Sequence, residues 1–504
     1  MLVQLIGNSS VVGNWCWVKS KWVLVCTILA LALAIGCARN SVRSEATFAP
    51  FMSPAQESRI GAEEHPKMLA RFGGVYKDHN VSGYVAEIGG RLVHHAQLSN
   101  RRFTFTVLNT PEVNAFALPG GYVYVTRGLL ALANSEAELA GVLAHEIGHV
   151  VARHSAQRYS RAMLARLGGA LLNTLTNNDQ VDRFVRLGSD LYLSSYSREQ
   201  EHEADLLGIG YLSRVGYDPR AQADFLENLS RYTALKNRID GNNRKKWSPL
   251  NLFSTHPRTA DRVQRTIDQA GTVHLTSNGL RRRVEFLQNI KGLIYGDNPS
   301  QGVVRGQTFF HPSLHFTFSV PPGFRLTNLS RAVVADRPDG VRIILDSATV
   351  KDIDDPLSYL TKRWMSGTNL HKIERINING LDAATAHAHI RRRDGFLDAR
   401  CVAIRFDTST IYRLLFISEP SKTANLEVDF RSTTYSFRRL RAEEAASLRP
   451  FRIRIVAIRE GDDLDSLVAR MPSKSYAKEW FLVLNGLTDT TPLQVGRLVK
   501  LLED

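Results

Sequence analysis

Cysteine is nearly absent from this chain. Of 504 residues four are cysteine, namely Cys16, Cys26, Cys37 and Cys401. The first three crowd into the N-terminal leader and its edge, so the rest of the chain cannot build a disulfide framework. Cys401 sits in the apolar run ARCVAIRF and is expected to be a small core residue. Long apolar runs are also missing beyond the leader. The longest candidate, Arg161–Leu175, is apolar on one side only and carries Gly168-Gly169 in its middle. It falls short of the ~20 residues a membrane-spanning helix needs and reads as a packing or lid helix before the polar loop Thr176–Gln180. Acidic residues are the scarcer charge, 49 against 64 lysines and arginines, for a net +15. That balance raises nucleic acid as a partner, but the arginines are scattered, with short clusters only at Arg281–Arg283 and Arg391–Arg393. No nucleic-acid partner is expected. Plain solubility, anionic lipid or cell-wall polymer accounts for the charge. There are no long repeats or low-complexity tracts. With 43% hydrophobic and 22% charged residues, the chain has room for two to four ordinary globular domains.

The first 36 residues hold Lys19 and Lys21 and no acid, followed by the apolar run Trp22–Gly36. At about 15 residues this run suits a signal-peptide core, not a spanning helix. Leu33-Ala-Ile-Gly-Cys37 resembles a bacterial lipoprotein cleavage site, which would make Cys37 the lipidated N-terminus. Ala34 stands where leucine is usual there, so ordinary export stays open as the alternative. Residues 37–54, with Pro50 and Pro54, read as a tether.

Chemistry concentrates in LAGVLAHEIGHVVARH, Leu139–His154. His145 and His149 are four apart, so on a helix they leave one side about 40° apart and can share a metal ion. Glu146 lies beside them, placed to take a proton from water. Ser135 and Glu138 form a capping-box pattern, and Leu139, Val142, Leu143 and Val150 make an apolar stripe at helical spacing. A zinc site needs a third protein ligand. SREQEHEAD, Ser197–Asp205, offers one, because Glu201 and Asp205 are again four apart. Glu201 is the expected ligand and Asp205 the residue that orients a ligand histidine. On the same helix Glu203 points about 200° from Glu201 and His202 about 100°, so neither is chosen. His154, about 180° round from His145, reads as structural or solvated.

HEIGHVVARH, the ExEAD within Glu201–Asp205, the upstream NAFALPGGYVYVTRGLL (Asn114–Leu130) and the later Thr255-His256-Pro257 occur in order. Together they resemble the HtpX and CAAX-prenyl-protease family of zinc metallopeptidases, in its periplasmic BepA-like branch, over roughly residues 55–270. The resemblance implies His145, His149 and Glu201 as ligands of one Zn2+ per chain and Glu146 as general base. It further implies that Asn114 to Val125 is a substrate-binding edge, with Asn114, Ala115, Phe116, Gly120, Gly121 and Tyr122 as contacts. An ordinary hairpin is the alternative reading of that stretch. His256 is implied as a catalytic-site residue, either stabilising the transition state or capping the metal in a resting form. Tyr196 is either an oxyanion donor or a packed tyrosine.

Elsewhere, Gln56–Ser99 has helical apolar spacing closed by His94 and His95, which suit a helix C-terminus. Phe103–Leu108 and Tyr122–Thr126 alternate as strands. A helix is expected over Val181–Ser194, and an exposed basic stretch over Asn242–Lys246. From Gly302 the pattern turns β-rich, with strands at Phe316–Val320, Val341–Leu345, Arg400–Phe406 and Tyr412–Ile417 and a helix at Pro356–Met365, loosely PsbP-like. Val456–Leu464, Leu467, Asn485-Gly-Leu487 and Gly496–Lys500 resemble a LysM module. Asp463 replaces its usual threonine, so an interaction domain of that architecture is expected before a peptidoglycan binder.

The expected protein is α+β. A mainly helical, gluzincin-type zinc metallopeptidase domain with a small sheet (55–275) follows the leader (1–36) and tether (37–54). A linker (276–301), an α+β accessory domain (302–445) and a small βααβ LysM-like domain (452–504) complete it. The expected function is a zinc endopeptidase acting on unfolded or misassembled envelope proteins, with protein or peptide substrates, in the bacterial periplasm, lipid-anchored at the outer membrane. Two other readings fit the same motifs: an assembly chaperone with a latent protease, and a peptidoglycan-binding scaffold with a vestigial site.

Overall fold

The computed structural model describes residues 37–39, 46–49, 51–164, 194–240, 252, 256, 260–272, 279–351, 355–392, 395–472 and 475–504. The leader 1–36, tether residues 40–45 and 50, the larger part of Arg161–Leu175, the Thr176–Gln180 loop, the helix read over Val181–Ser194 except its last residue, and Asn242–Lys246 lie outside these residues.

Helix α1 (Pro54–Arg71) starts at a capping box made by Ser53 and Gln56. Helix α2 (His79–His95) is capped by the Asp78 carboxylate and buries Val81, Val85, Ile88 and Leu92, one stripe at helical spacing. A three-stranded sheet follows: β1 (Thr104–Leu108), β2 (Ala115–Leu118) and β3 (Tyr122–Thr126) in the order β1-β3-β2. β3 runs parallel to β1 and antiparallel to β2. The expected edge is therefore split. Ala115 and Phe116 lie on the edge strand β2, whereas Tyr122 begins the central strand, its backbone flanked by Leu118 and Thr104. Gly120 and Gly121 form the turn at φ +81 and +87; a Cβ at Gly121 would meet the Arg102 carbonyl at 2.0 Å.

Short helix α3 (Arg127–Leu132) leads into α4 (Glu136–Val151), buried at every residue but Val150. Ser135 caps α4 through the Glu138 N–H. The Glu138 carboxylate reaches back to the Asn134 N–H instead of that of Ser135, so the reciprocal half of the expected capping box falls one residue earlier. The helix ends at Ala152, and Arg153 adopts φ +58. Its guanidinium is held by Glu57 Oε1 and the Met52 carbonyl, both at 2.6 Å, which ties the end of the tether to the peptidase body. Across α4 pack α5 (Arg198–Val215) and α6 (Arg220–Asp240), and α7 (Ala260–Thr272) packs on those two.

The stretch read as a linker, described from residue 279, contributes core residues. Helix α8 (Arg283–Asn289) buries Phe286 and Leu287, and β4 (Ile294–Tyr295) joins the last sheet, because Leu293 and Ile290 complete the apolar centre. The accessory domain contains a four-stranded sheet, β5 (Val303–Arg305), β6 (Thr308–His311), β7 (Phe316–Ser319) and a late strand at Arg438–Arg439. Its larger sheet is antiparallel and seven-stranded: β8 (Arg325–Asn328), β9 (Ala332–Asp336), β10 (Arg342–Thr349), β11 (Leu370–Ile378), β12 (Leu381–Arg392), β13 (Gly395–Arg405) and β14 (Thr410–Ser418). They lie side by side as β8-β9-β10-β14-β13-β12-β11. Phe316, Phe416 and Phe437 fill one core, with Phe430 of α9 (Glu427–Ser436), and Cys401 is buried and free.

The C-terminal unit is β15 (Phe451–Ala457), α10 (Leu464–Val468), α11 (Ala477–Asn485) and β16 (Leu498–Glu503), the βααβ order expected. It is packed onto the peptidase body. Fully buried Lys500 donates to the carbonyls of Ala131 and Ala133 at 2.8 and 2.7 Å, 14 and 12 residues before His145.

Candidate metal centre

Two helices crossing closely create the site. A Cβ on Gly148 would lie 3.1 Å from the Ala204 carbonyl, and one on Gly208 would lie 3.2 Å from the His145 nitrogen. Only glycines let α4 and α5 approach this far, and the approach carries Glu201 over the two histidines. His145 Nε2 lies 3.0 Å from His149 Nε2 and 3.3 Å from His256 Nδ1. Glu201 Oε1 lies 2.9 Å from His256 Nδ1 and 3.5 Å from His149 Nε2, and Oε2 lies 3.6 Å from His145 Nε2. Ligand atoms bound at 2.0–2.1 Å around a tetrahedral ion are about 3.3 Å apart, so these spacings are those of a tetrahedral site.

Proton bookkeeping leads the same way. His145 Nδ1 is 2.9 Å from Asp205 Oδ1, which fixes its proton there and leaves Nε2 a lone pair. His149 Nδ1 faces His154 Nδ1 at 2.7 Å, and His154 Nε2 faces Glu203 Oε2 at 3.5 Å. The consistent tautomers run from His149 through His154 to Glu203, again leaving His149 Nε2 a lone pair. Two lone pairs facing each other at 3.0 Å, beside a carboxylate, require a cation. Among the described residues, His145, His149, Glu201 and His256, all buried, form a group that could hold a metal ion.

Glu146 is fully buried, and neither carboxylate oxygen has a hydrogen-bond partner among the described residues. Such an orphaned carboxylate fits a water held between it and a metal. The His256 ring lies between the two groups: Nδ1 faces the ligand cluster while Nε2 is 3.3 Å from Glu146 Oε1.

Arg262 was not legible as a site residue. Its Nε and Nη2 grip Asp205 at 2.6 and 2.8 Å, Nη1 contacts Glu201, and Gln222 also donates to Asp205 at 2.9 Å. One signal existed: Arg262, Thr266 and Ala270 share a face at i, i+4 and i+8, and the latter two are buried. Burial works to raise the Glu201 carboxyl, but the charges of His256 and Arg262 outweigh it and hold the group well below the usual carboxylate range. Asp205 is likewise lowered, burial being overcome by Arg262. His256 is raised, because the Glu201 and Glu146 charges outweigh its burial. Burial lowers His149 and His154, which keeps both rings neutral.

Tyr196 stacks on the His149 ring with centroids 3.7 Å apart, the Arg158 guanidinium lies 3.8 Å from its centroid, and its hydroxyl is 3.4 Å from Ser155 Oγ. It is the packed tyrosine of the two readings. His154 is buried, not solvated, because the helix breaks at Arg153 and turns it back onto His149. Asn114, also buried, precedes β2, and its carbonyl accepts from the Thr126 N–H at 3.0 Å.

A buried His-Glu-x-x-His helix, a glutamate from a second helix and a free buried carboxylate beside them define a metallopeptidase centre. The profile of peptidase family M48 matches residues 80–269. The mitochondrial metalloendopeptidase OMA1 of Schizosaccharomyces pombe is 30% identical over 244 residues, 47% of this chain and 68% of that protein. The chain belongs to peptidase family M48. It is also similar to the putative beta-barrel assembly-enhancing protease of Vibrio cholerae, 30% identical over 263 residues, 48% of this chain and 52% of that protein. For the beta-barrel assembly-enhancing protease of Escherichia coli the figures are 30% over 257 residues, 48% and 50%. The chain thus spans about half the length of these bacterial relatives.

Proposed function

We propose that this chain is a zinc endopeptidase of the bacterial cell envelope that cleaves unfolded or misassembled envelope proteins and rests in a form capped by His256. Support for the chemistry is the lone-pair cluster of His145, His149 and Glu201 next to the buried Glu146 carboxylate, which faces the His256 ring. Zinc bound there supplies Lewis acidity, polarising a carbonyl and bringing the pKa of water toward ~7. Glu146 takes the proton of the attacking water and passes it to the leaving amine. Asp205 and Arg262 keep His145 and Glu201 aimed, and Tyr196 keeps the His149 ring in plane. An extended substrate adds to the β2 edge at Ala115–Leu118, where backbone pairing reads sequence only loosely, as quality control requires. Of the residues proposed to contact substrate, Ala115 and Phe116 are on that edge, while Asn114, Gly120, Gly121 and Tyr122 frame it.

The single observation that carries the resting form is the His256 ring, with one nitrogen at the ligand cluster and the other against Glu146. So placed, it excludes both the water and the substrate carbonyl. Glu146→Gln should keep zinc and lose casein cleavage by at least ~100-fold. His256→Ala should retain three-ligand zinc and cleave faster than wild type. A loss of ~10²-fold with zinc unchanged would reassign His256 to transition-state stabilisation. The names of the bacterial relatives, beta-barrel assembly-enhancing proteases, support an envelope site of action and a role in assembly. Lipid attachment at Cys37 and peptidoglycan contact through the βααβ unit belong to the same reading. Labelled palmitate should enter the wild type and not Cys37→Ser, and incorporation into the variant would remove the anchor from it.

A further inference from the structure

The accessory domain carries a histidine cluster far in sequence from the peptidase motif. His387 and His389 are two apart on β12, so they share one face of the seven-stranded sheet. His371 on β11 sits directly across from His387. Directly opposed residues bring their Cβ atoms within about 4.5–5.5 Å. The ring centroids of His371 lie 5.8 Å from those of His387 and 4.8 Å from those of His389. Asp398, across from His389 on β13, accepts from His389 Nδ1 at 2.7 Å. The carboxylate is itself fixed by Thr423 Oγ1, which donates to Oδ2 at 2.6 Å.

We propose that His371, His387 and His389 form a second metal site, for a divalent transition-metal ion of the Zn2+ or Cu2+ kind, with Asp398 orienting His389. Imidazole is the ligand those ions prefer, and no thiolate or further carboxylate is needed. The His389–Asp398 contact places the proton on Nδ1 and leaves Nε2 as ligand, the outer-shell arrangement that orients metal-binding histidines. A bulge between His371 and Glu374, with Lys372 at φ +49, sets His371 on this face at the outer strand. The His371 and His389 rings are now stacked, 21° from parallel, so their nitrogens do not yet converge. His371 is exposed at the sheet edge, and rotation about its side-chain bonds completes the site. Arg400, directly across from His387, reaches toward Thr385 and Phe416, its Nε 3.3 Å from Thr385 Oγ1 and its guanidinium 5.8 Å from the centre of the Phe416 ring. Burial lowers His387, which keeps it in the ligating neutral form.

The test is a titration of the metal-stripped full chain with Zn2+, followed by calorimetry, and with Cu2+, followed by electron paramagnetic resonance. Wild type should take two equivalents, and His387→Ala/His389→Ala one. The His145→Ala/His149→Ala chain should keep the accessory equivalent, with imidazole nitrogen couplings in its Cu2+ spectrum. Asp398→Asn should weaken that equivalent by ~10–100-fold. Casein cleavage should be unchanged in His387→Ala/His389→Ala. One equivalent in wild type, or a second one surviving in His387→Ala/His389→Ala, overturns the proposal.

Discussion

Replacing Arg262 by methionine removes a charge that faces two buried carboxylates while keeping most of the side-chain volume. The guanidinium holds Asp205 with both prongs of its fork and touches Glu201 as well. Breaking a buried pair from one side costs about 3–5 kcal/mol, because the remaining charge is left uncompensated. Without metal the variant should lose stability of that order. Bound zinc compensates Glu201 in part, so the loss should be smaller in the zinc form. Zinc affinity is pulled two ways. Arg262 repels a cation, but its charge is already matched by the two carboxylates, so the orienting effect wins. Affinity should therefore fall by ~10–100-fold, or ~1.4–2.8 kcal/mol. Both carboxyls are held low in the folded protein. Their contribution is present above the unfolded carboxyl pKa of about 4 and is lost as pH falls through the folded values. The gap between wild type and Arg262→Met should accordingly narrow in acid. Thermal unfolding of metal-free and zinc-loaded protein between neutral and acid pH, with zinc affinity from chelator competition, measures each part. Wild-type zinc affinity together with an unchanged metal-free melting temperature would refute this account of Arg262.

Two further variants probe the helix pair. Glu201→Gln should weaken zinc by more than the ~10–100-fold typical of outer-shell changes, while Glu203→Gln, which reaches the ligands through His154, should stay within that range; the reverse order, in a competition assay, would mean the register of α5 is misread. Gly148→Val puts its side chain against the Ala204 backbone, 3.1 Å from the carbonyl. It should cost about 1–3 kcal/mol of stability and lower zinc occupancy by lifting Glu201 away, whereas full occupancy with a lowered melting temperature would separate helix spacing from metal binding.

Helical periodicity is a local property, and it made the chemical core readable: four-residue spacing alone selects His145 with His149 and Glu201 with Asp205. The strands near Phe316, Val341, Arg400 and Tyr412 were readable for the same reason, since period and turn residues lie along the chain itself, whereas the strand, helix, helix, strand order of the C-terminal unit was expected from its resemblance to a LysM module. What depended on distant segments meeting was not. Tyr122–Thr126 alternates like an edge strand but is central, because β1 pairs parallel to it on one side and β2 antiparallel on the other. The stretch 276–301 reads as polar linker, yet Phe286 and Leu293 are core once the C-terminal sheet closes over them. His154 follows the helical wheel only while the helix lasts, and Arg153 ends it by pairing with Glu57, 96 positions earlier. Arg262 looks like any surface arginine until α7 packs beside α5 and two buried carboxylates demand its charge. Sequence alone determined which side chains could hold a metal; the tertiary structure decided which charges, rings and backbones stand behind them, because burial turns a distant neighbour into an obligatory partner.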